Sequence, residues 1–539
     1  MTDIVLYNGH VYTMDVPNER FQAVAISGNR IAAVGTDGDI LAMADAHTRV
    51  IDLKGKCVLP GFNDSHCHLV FLGMETQKVQ LRGLRSVEAC MEALRRYIAD
   101  NAVPEGAWVV GTGYDQLLFD EPRQPNRRDL DAVSTAHPIM VERICGHIGA
   151  ANTPALKLAG FDEVTRIEGG ILEKDADGRL NGVLVETARD VLARKIPKPD
   201  VAGTEALIRA VFEQAAAFGV TSMQTDDTEA APLEVVMAAA RNLAKRGEAT
   251  VRIWEEVEAA RLPALRAFLD RGLRTGDGDP FFRIGNIKLI CDGSLGARTA
   301  CMQRPYADAP DTRGVAVYTQ ADLDAVVLEA HRAGMQVACH AIGDGAADMA
   351  VRAFEAARAS DGVDLRNRVV HCQFADDALL DRMAAGGVCA DIQPAFVVSD
   401  RDMVPGRMGA RGDIGYRWAA MARRGIVMGG GSDSPVETIN PIWGIHCAVN
   451  RADAEGMPAG GWMPGEKLTV EQAVRLYTAD GAYLSFEEHE KGRLKPGMLA
   501  DMAILDRDIF AVPPGEIHAI RNVMTVMDGR VVYDEKANR

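Results

Sequence analysis

The sequence predicts an α/β protein whose core is a (β/α)8 barrel of the TIM type, accompanied by a small β-sandwich domain. Short apolar runs alternate with helical patterns through the middle of the chain, and this alternation is typical of a parallel sheet. Both ends of the chain instead carry short strands joined by turn-forming pairs, such as Asn8-Gly9 and Asp528-Gly529. We therefore expect residues 1–57 and 490–539 to form one sandwich and residues 58–489 to form the barrel.

The individual strands are predicted where apolar or alternating runs are bounded by turn residues. The sandwich strands are expected at 4–7, 11–14, 23–27, 30–34, 49–52, 502–505, 523–527 and 530–533. The eight barrel strands are expected at 58–62, 220–225, 251–255, 283–290, 336–340, 368–372, 388–392 and 426–430. Helical patterns lie between most of the barrel strands, for example at 322–333, 346–359 and 375–385.

One interval is too long for a barrel loop. About 150 residues separate the first two barrel strands, whereas connections of this kind are normally a few residues long. We therefore expect residues 70–205 to be an inserted subdomain after the first barrel strand. An insertion at the catalytic face would serve as a lid or as a wall of the pocket.

The composition is that of a globular protein, with 47% hydrophobic and 25% charged residues among 539. The net charge of −17 argues against nucleic acid and anionic membranes as partners and mainly implies solubility. The expected partner, a small-molecule substrate, follows from the resemblance described below. The ten cysteines form no Cys-x-x-Cys pair and fit buried thiols in a reducing compartment. No signal peptide and no membrane-spanning run is visible, so a cytoplasmic location is expected.

A pair of histidines, His66 and His68, is the most informative feature of the chain. Because side chains on a β-strand repeat with a period of two, both imidazoles are expected to point to the same side of one strand. Two neutral imidazoles on one face can bind one metal ion. The spacing therefore predicts half of a metal site at the end of the first barrel strand.

Four further candidate ligands each stand at the end of an apolar run, and they are Lys288, His340, His371 and Asp433. In a (β/α)8 barrel the carboxyl ends of the strands meet at one face, where the chemistry takes place. The six residues together predict a metal centre at that face. Lysine is the unusual member, since an ammonium group has three donors and no acceptor.

The order His-x-His, Lys, His, His, Asp resembles the binuclear metal signature of the amidohydrolase superfamily. The likeness covers nearly the whole chain, including Val-Leu-Pro-Gly-Phe-Asn-Asp-Ser-His-Cys-His at 58–68. More narrowly, 288–300, 339–346 and 146–152 are similar to the amidohydrolase-3 branch that contains the N-substituted formamide deformylases. The one departure is Phe62-Asn63-Asp64, where many relatives have Phe-Ile-Asp.

This resemblance implies several properties of the centre. Lys288 would be carboxylated by carbon dioxide, which gives a carbamate that bridges two metal ions. Zinc is the expected metal, at one or two ions per chain, and manganese, iron, cobalt or nickel also suit these ligands. A homodimer is expected on the same ground.

The expected activity is metal-dependent hydrolysis of a carbon–nitrogen bond in a non-peptide amide. Metal-activated hydroxide would attack the carbonyl of an N-substituted formamide or another N-acyl compound, and Asp433 would carry the proton to the departing nitrogen. Hydrolysis of a cyclic amide, imide or carbamate by the same residues is an alternative, and a non-catalytic barrel is a remote one. No Gly-x-Ser-x-Gly elbow indicates a serine nucleophile.

Five further residues are candidates for contact with the substrate. His147 is a candidate to hydrogen-bond the substrate carbonyl, or it is a capped loop residue, and Arg298 either binds a carboxylate or supports its loop. Tyr114, Phe396 and Trp443 are expected to line an apolar pocket, although aromatic residues at such places are often core. Asp344 either orients His340 or caps a helix.

Overall fold

Eight parallel strands form the central sheet of the protein. The computed structural model describes residues 2–537, and its chain divides into two units, Met1–Leu72 with Asp200–Arg539, and Gly73–Pro199. The strands of the central sheet pair in chain order within the first unit. They are Phe62–Cys67, Val220–Asp226, Arg252–Glu258, Phe282–Ile290, Val337–Ala341, Arg368–His371, Cys389–Ile392 and Met428–Gly430. A short strand, Gly278–Asp279, pairs antiparallel with the fourth of these.

The eighth strand returns to the first, so that the sheet is a nearly closed barrel. The backbone N–H of Asp433 donates to the carbonyl of His66 at 2.8 Å, and that of Ser432 donates to Asp64 Oδ1 at 2.9 Å. These bonds join the carboxyl ends of the first and last strands. The predicted (β/α)8 barrel is therefore confirmed, and Asp433 is brought next to the histidine pair by the closure itself.

Helices lie in the connections between the barrel strands, and several of them begin at a side-chain cap. The helix Gln320–Arg332 starts at Thr319, whose side chain accepts from the N–H of Asp322, and Asp377–Gly386 starts at Asp376 in the same way. The helices of the first unit that follow residue 199 are Val201–Ala217, Leu233–Lys245, Leu262–Leu269, Gln320–Arg332, Asp344–Asp361, Asp377–Gly386, Phe396–Ser399, Val404–Met408, Trp418–Arg423, Pro441–Asn450, Val470–Leu476 and Ala479–Leu484. Single 3₁₀ turns occur at Gly409–Ile414, Pro464–Glu466 and Pro514–Ala519.

The interior of the barrel contains a buried polar network around Arg368. Arg368 is fully buried and donates to Gln224 at 2.7 Å and to Glu256 at 2.8 Å, and it lies 3.1 Å from Asp391. It also donates to Asn286. A buried charge is tolerated only when it is paired and hydrogen-bonded, and this guanidinium supplies that pairing from the middle of the barrel. The network joins five barrel strands below the carboxyl-terminal face of the barrel.

Strands from both ends of the chain form two further sheets of the first unit. The four-stranded sheet has the order Arg30–Gly35, Ala23–Ser27, Ile4–Tyr7, Arg49–Asp52. The six-stranded sheet has the order Arg530–Asp534, Asn522–Met527, Met502–Leu505, Cys57–Pro60, His10–Tyr12, Arg20–Phe21. Val24, Ile26, Val58, Met502 and Ile504 share one buried cluster between them, because each strand turns alternate apolar side chains inward. The helix Asp37–Leu41 packs against the smaller sheet.

The prediction of a first barrel strand at 58–62 is wrong. Cys57–Pro60 belongs to the six-stranded terminal sheet, where it pairs antiparallel with Met502–Leu505, and the barrel strand is Phe62–Cys67. The chain changes sheets at Gly61, whose N–H donates to Asp501 while the next N–H donates to the carbonyl of Gly219. A Cβ at position 61 would overlap the Thr221 side chain, so only glycine fits at this crossing.

The second unit, Gly73–Pro199, contains a six-stranded mixed sheet. Its strand order is Gly170–Lys174, Leu180–Glu186, Ile148–Ala151, Ile139–Arg143, Val109–Tyr114, Val79–Gln80. Its helices are Val87–Asp100, Arg127–Asp131, Thr153–Ala159 and Thr187–Ala193, with a 3₁₀ turn at Gln116–Leu118, and the helix Leu69–Gln77 enters it from the first unit. The lid function expected for residues 70–205 stays a prediction. Across residues 2–537, every helix is too short or too polar to cross a bilayer.

Candidate metal centre

All six predicted ligands line one cavity of about 530 Å³ at the carboxyl ends of the barrel strands. His66 and His68 lie at the end of the first strand, and their ring centroids are 5.2 Å apart. Lys288 and His340 come from the fourth and fifth strands, and His371 ends the sixth. Asp433 follows the eighth strand by three residues. The strand-end placement expected from the sequence thus brings residues more than 360 positions apart into one pocket.

The first group within the cavity consists of His66, His68 and Asp433. One ligand atom from each lies within 4.8 Å of the others, which is a spacing that can hold one metal ion. Asp433 Oδ1 is 3.2 Å from His68 Nε2 and 3.5 Å from His66 Nε2. The other ring nitrogen of His68, Nδ1, donates to the backbone carbonyl of Asp226 at 2.9 Å. Because a carbonyl only accepts, that contact leaves Nε2 unprotonated and directed at the carboxylate in the neutral ring.

The second group consists of His340 and His371. His371 Nδ1 donates to Gln393 Oε1 at 2.7 Å, and His340 Nε2 faces the carbonyl of Gly293 at 3.3 Å. Both contacts place the ring proton on the outward nitrogen. The inward nitrogens, His371 Nε2 and His340 Nδ1, are 2.9 Å apart and both carry a lone pair. Two facing lone pairs repel each other, and a shared cation would remove that repulsion.

Burial and neighbouring charge keep these imidazoles neutral. Burial, with the charge of Lys288, lowers the pKa of His66 and of His340 to about 4. Burial and the nearby His340 hold the pKa of His371 well below its usual value. Three of the four rings are therefore neutral at pH 7, and a neutral imidazole is the form that binds metal.

His68 and Asp433 form the exception, as an ion pair. Burial by itself would lower the pKa of His68, but the hydrogen bond and charge of Asp433 outweigh it and raise that pKa to about 9. Burial likewise works to raise the pKa of the Asp433 carboxyl, while the surrounding histidines outweigh it and hold that pKa well below the usual range. Asp433 is consequently a carboxylate at every ordinary pH.

Lys288 lies at the base of the first group and is 1% exposed. Its Nζ is 3.1 Å from His66 Nε2, 3.4 Å from Glu256 Oε2 and 3.8 Å from Asp226 Oδ2. Burial works to lower the pKa of the amine, but these carboxylates outweigh it and raise the pKa. In the absence of metal the amine of Lys288 is therefore held as an ammonium group, because the carboxylates of Glu256 and Asp226 face it.

Two of the candidate ligands have left-handed backbone conformations. The φ angle is +69° at His371 and +54° at Asp433, a region that non-glycine residues rarely occupy. Both residues stand where a strand ends and a loop begins. Strain of this kind persists only where the surrounding structure enforces it, and it clusters at functional sites.

Of the predicted substrate contacts, Phe396 is the one that lines the cavity. Its ring lies parallel to that of His371, with centroids 6.2 Å apart and an interplanar angle of 10°. Arg298 and Trp443 are not among the residues that line the cavity. Arg298 forms a bidentate ion pair with Asp308, which supports the loop, and Trp443 stacks on His446 at 5.3 Å. This ion pair agrees with the loop-supporting alternative for Arg298, and its carboxylate-binding role stays a prediction.

His147 and Tyr114 belong to the second unit. The Tyr114 ring is fully buried in a core cluster of that unit, and its hydroxyl donates to Gln124 at 2.7 Å. Tyr114 is therefore a core residue and not a pocket wall. His147 is exposed, and its Nδ1 is 3.0 Å from Glu186. Its role in binding the substrate carbonyl stays a prediction.

Several residues that orient the candidate ligands were not identified from the sequence. Gln393 follows the seventh strand and holds His371, and Glu256 in the third strand contacts Lys288 and lies 3.5 Å from His66 Nδ1. Asp292, rather than Asp344, lies beside His340, at 3.5 Å from its Nε2. Asp344 instead starts a helix and accepts from the N–H of Gln303. Two adjacent glutamates inside the apolar run of the third strand were a signal that could have pointed to Glu256.

Comparison with known proteins gives the same assignment as the geometry. The model of the amidohydrolase family matches residues 49–533. Protein YtcJ of Bacillus subtilis is 30% identical, over 98% of this chain and 99% of its own length. The N-substituted formamide deformylase of Arthrobacter pascens is 26% identical over 99% of both chains.

A solved structure has a similar fold over nearly the whole chain. The crystal structure of a metal-dependent hydrolase from Pyrococcus furiosus superposes with a TM-score of 0.79 at 30% identity. It covers 94% of this chain and 99% of its own chain. The matched family region spans the barrel together with most of the six-stranded terminal sheet and one strand of the four-stranded sheet, and it includes every residue of the cavity. This chain therefore belongs to the amidohydrolase family of metal-dependent hydrolases.

Proposed function

We propose that this protein hydrolyses the carbon–nitrogen bond of a non-peptide amide, such as an N-substituted formamide or another N-acyl compound. The observation that carries this proposal is the convergence of four imidazoles, Lys288 and the Asp433 carboxylate on one cavity. The amidohydrolase family supports the reaction class, and the deformylase relative supports the substrate class. Hydrolysis of a cyclic amide, imide or carbamate is the competing activity that the experiment below distinguishes.

The donor set fits one or two divalent metal ions. Outward hydrogen bonds orient His68, His340 and His371, so that each directs an unprotonated nitrogen inward in its neutral form. The first group would hold one ion and the pair His340 and His371 a second. Imidazole and carboxylate ligands suit zinc, and also manganese, iron, cobalt and nickel. When bound, such ions would polarise the substrate carbonyl and lower the pKa of a bound water molecule to about 7.

Asp433 is the residue that we assign to proton transfer. It is ionised, 8% exposed, and positioned between the two histidines of the first group and the open cavity. A carboxylate in this place can accept the proton of the attacking water and deliver it to the departing amine. Phe396 belongs to the apolar side of the same cavity.

Lys288 is proposed to be carboxylated when the metal ions are present. Its neutral amine adds to carbon dioxide, a proton is released, and the product carbamate offers two oxygen ligands. Because Glu256 and Asp226 hold the amine protonated in the metal-free protein, we expect the reaction only when bound cations counter those carboxylates.

Metal content and one substitution test the proposal together. Metal-loaded protein is assayed against matched N-formyl, N-acetyl, lactam and carbamate compounds, beside Asp433→Asn and the control Asp402→Asn, whose side chain is 93% exposed. We expect metal occupancy to survive in Asp433→Asn through the histidines, while turnover of open-chain amides falls by about 10²–10⁴-fold. The control should retain full activity. Normal turnover in Asp433→Asn would remove it as the proton carrier, and exclusive turnover of lactams or carbamates would select the competing activity.

A further inference from the structure

The wall of the cavity outside the candidate ligands has a distinct chemical character. Most of it is apolar, contributed by Ile290, Leu295, Ile342, Phe396, Met403 and Val436. The polar side chains among the described lining residues are Ser294, Gln373, Ser399, Asp400 and Glu437. Apart from Lys288, none of the described lining residues is a lysine or an arginine. An anionic substrate would therefore meet no free counter-charge on this wall.

The orientation of the Gln373 amide follows from its neighbours. The Tyr416 hydroxyl donates to Asp400 Oδ2 at 2.5 Å, and because a carboxylate only accepts, the nitrogen of Gln373 must be the atom that donates to the same oxygen, at 3.0 Å. Gln373 Nε2 also donates to the Tyr416 hydroxyl. The carbonyl oxygen, Oε1, receives no hydrogen bond from residues 2–537. Gln373 is 4% exposed and lines the cavity, so this oxygen is an acceptor that it offers there.

Two carboxylates lie on the same wall as this acceptor. Asp400 is held by Gln373 and Tyr416, and burial raises its pKa. Burial also raises the pKa of Glu437, against the hydrogen bond of Ser399, and the charges of Asp400 and Asp433 add to the rise. No cation balances Glu437 within the wall. These three side chains line one cavity, and their common complement is a group that carries N–H donors and a positive charge.

We propose that the cavity selects amides whose apolar amine portion carries a second amino group, and that Gln373, Asp400 and Glu437 bind this group as an ammonium. The inference rests on the proposed function and specifies the substrate of the same centre. It predicts discrimination by charge at the end of the substrate remote from the scissile bond. An ammonium terminus is favoured, a neutral alkyl terminus is accepted, and a carboxylate terminus is rejected.

Three N-formyl alkylamines of equal chain length, ending in an ammonium, a methyl and a carboxylate group, provide the test. The value of kcat/KM is measured for the metal-loaded protein, and the dissociation constant of the same compounds is measured by calorimetry on metal-loaded Asp433→Asn. We expect the ammonium compound to be favoured over the methyl compound by about tenfold, which corresponds to one charge-assisted hydrogen bond. Glu437→Gln should remove most of that preference. The control Glu455→Gln, at an exposed loop position, should change neither value.

The outcomes separate this inference from the proposed function. Hydrolysis of all three compounds without preference for the ammonium, or the same preference in Glu437→Gln, would overturn the inference while the hydrolase remains. Tight and Glu437-dependent binding of the ammonium compound without any turnover would support the inference and overturn the amide hydrolase. Preferred binding of the carboxylate compound would contradict the assigned charge of the wall.

Discussion

Gln393 offers the sharpest test of how the second group of ligands is oriented. It is 3% exposed, and its Oε1 accepts the proton of His371 Nδ1 at 2.7 Å. Its Nε2 is buried with no hydrogen-bond partner among the described residues. Replacing Gln393 by Met keeps the volume of the side chain and removes the acceptor. The His371 ring is then free to exchange tautomers and to rotate away from His340.

The magnitude follows from these contacts. Loss of a residue that orients a ligand typically lowers metal affinity by about 10–100-fold, which is about 1.4–2.8 kcal/mol. The free energy of unfolding should change by less, about 1 kcal/mol, because the substitution also removes the unsatisfied Nε2 of Gln393. Gln393→Met should therefore lower the metal affinity much more than it lowers the free energy of unfolding.

Competition with a chelating dye measures the metal affinity, and denaturant unfolding of the metal-free protein measures the stability. Gln214→Met, at an exposed position of the helix Val201–Ala217, is the matched control and should alter neither. If Gln393→Met binds metal as tightly as the unmodified protein, then the hydrogen bond to His371 does not prepare that ring for a metal ion. A parallel loss of stability and affinity would instead indicate general damage to the barrel.

Three further predictions concern the centre and its support. Lys288→Ala should lower the metal content of the protein, and added short carboxylic acids should partly restore it. Plasma mass spectrometry measures both, and an unchanged metal content would exclude Lys288 as a ligand. In metal-free protein the pKa of His340 is about 4 in the folded state and 6.5 in the reference state. Between these two pH values the unfolded chain therefore binds more protons than the folded protein. The stabilising contribution of the neutral imidazole is present above about pH 6.5 and is lost as the pH falls towards 4. His340→Gln should therefore lose less unfolding free energy than the unmodified protein over that range, by on the order of 2 kcal/mol. An equal loss in both proteins would refute the lowered pKa of His340. Gly61→Ala should destabilise the protein by about 1–3 kcal/mol through overlap with Thr221, whereas Gly38→Ala, which meets nothing within 4 Å, should not, and equal melting temperatures would contradict the tight crossing.

The sequence was sufficient for the architecture because strand and helix periods are local properties. Seven of the eight barrel strands lie within one to three residues of their predicted positions, since each is an apolar run bounded by turn residues. The run at 58–62 could not be assigned, because the switch between two sheets at Gly61 depends on which distant chain segments pair on either side of it. Strand pairing is a non-local property that a single apolar run does not encode.

The candidate ligands were visible in the sequence for the same reason. A polar residue that ends an apolar strand of a barrel has a predictable position, and all six such residues do reach one cavity. Their role as ligands stays a prediction. No comparable rule predicts where aromatic and charged side chains outside the strand ends lie relative to the cavity. The structure places Tyr114 in a core and pairs Arg298 with Asp308.

By itself, then, the sequence of this protein determined the barrel, the terminal strands and the set of candidate metal ligands. Only the tertiary structure decided which nitrogen of His68, His340 and His371 faces the cavity, because their partners come from other strands and loops, namely Asp226, Gly293 and Gln393. It also decided the protonation of Lys288, through Glu256 and Asp226, and the acceptor character of the pocket wall. These properties depend on distances between residues far apart in the chain, and electrostatic and hydrogen-bond energies fall off too steeply with distance to be inferred from sequence order.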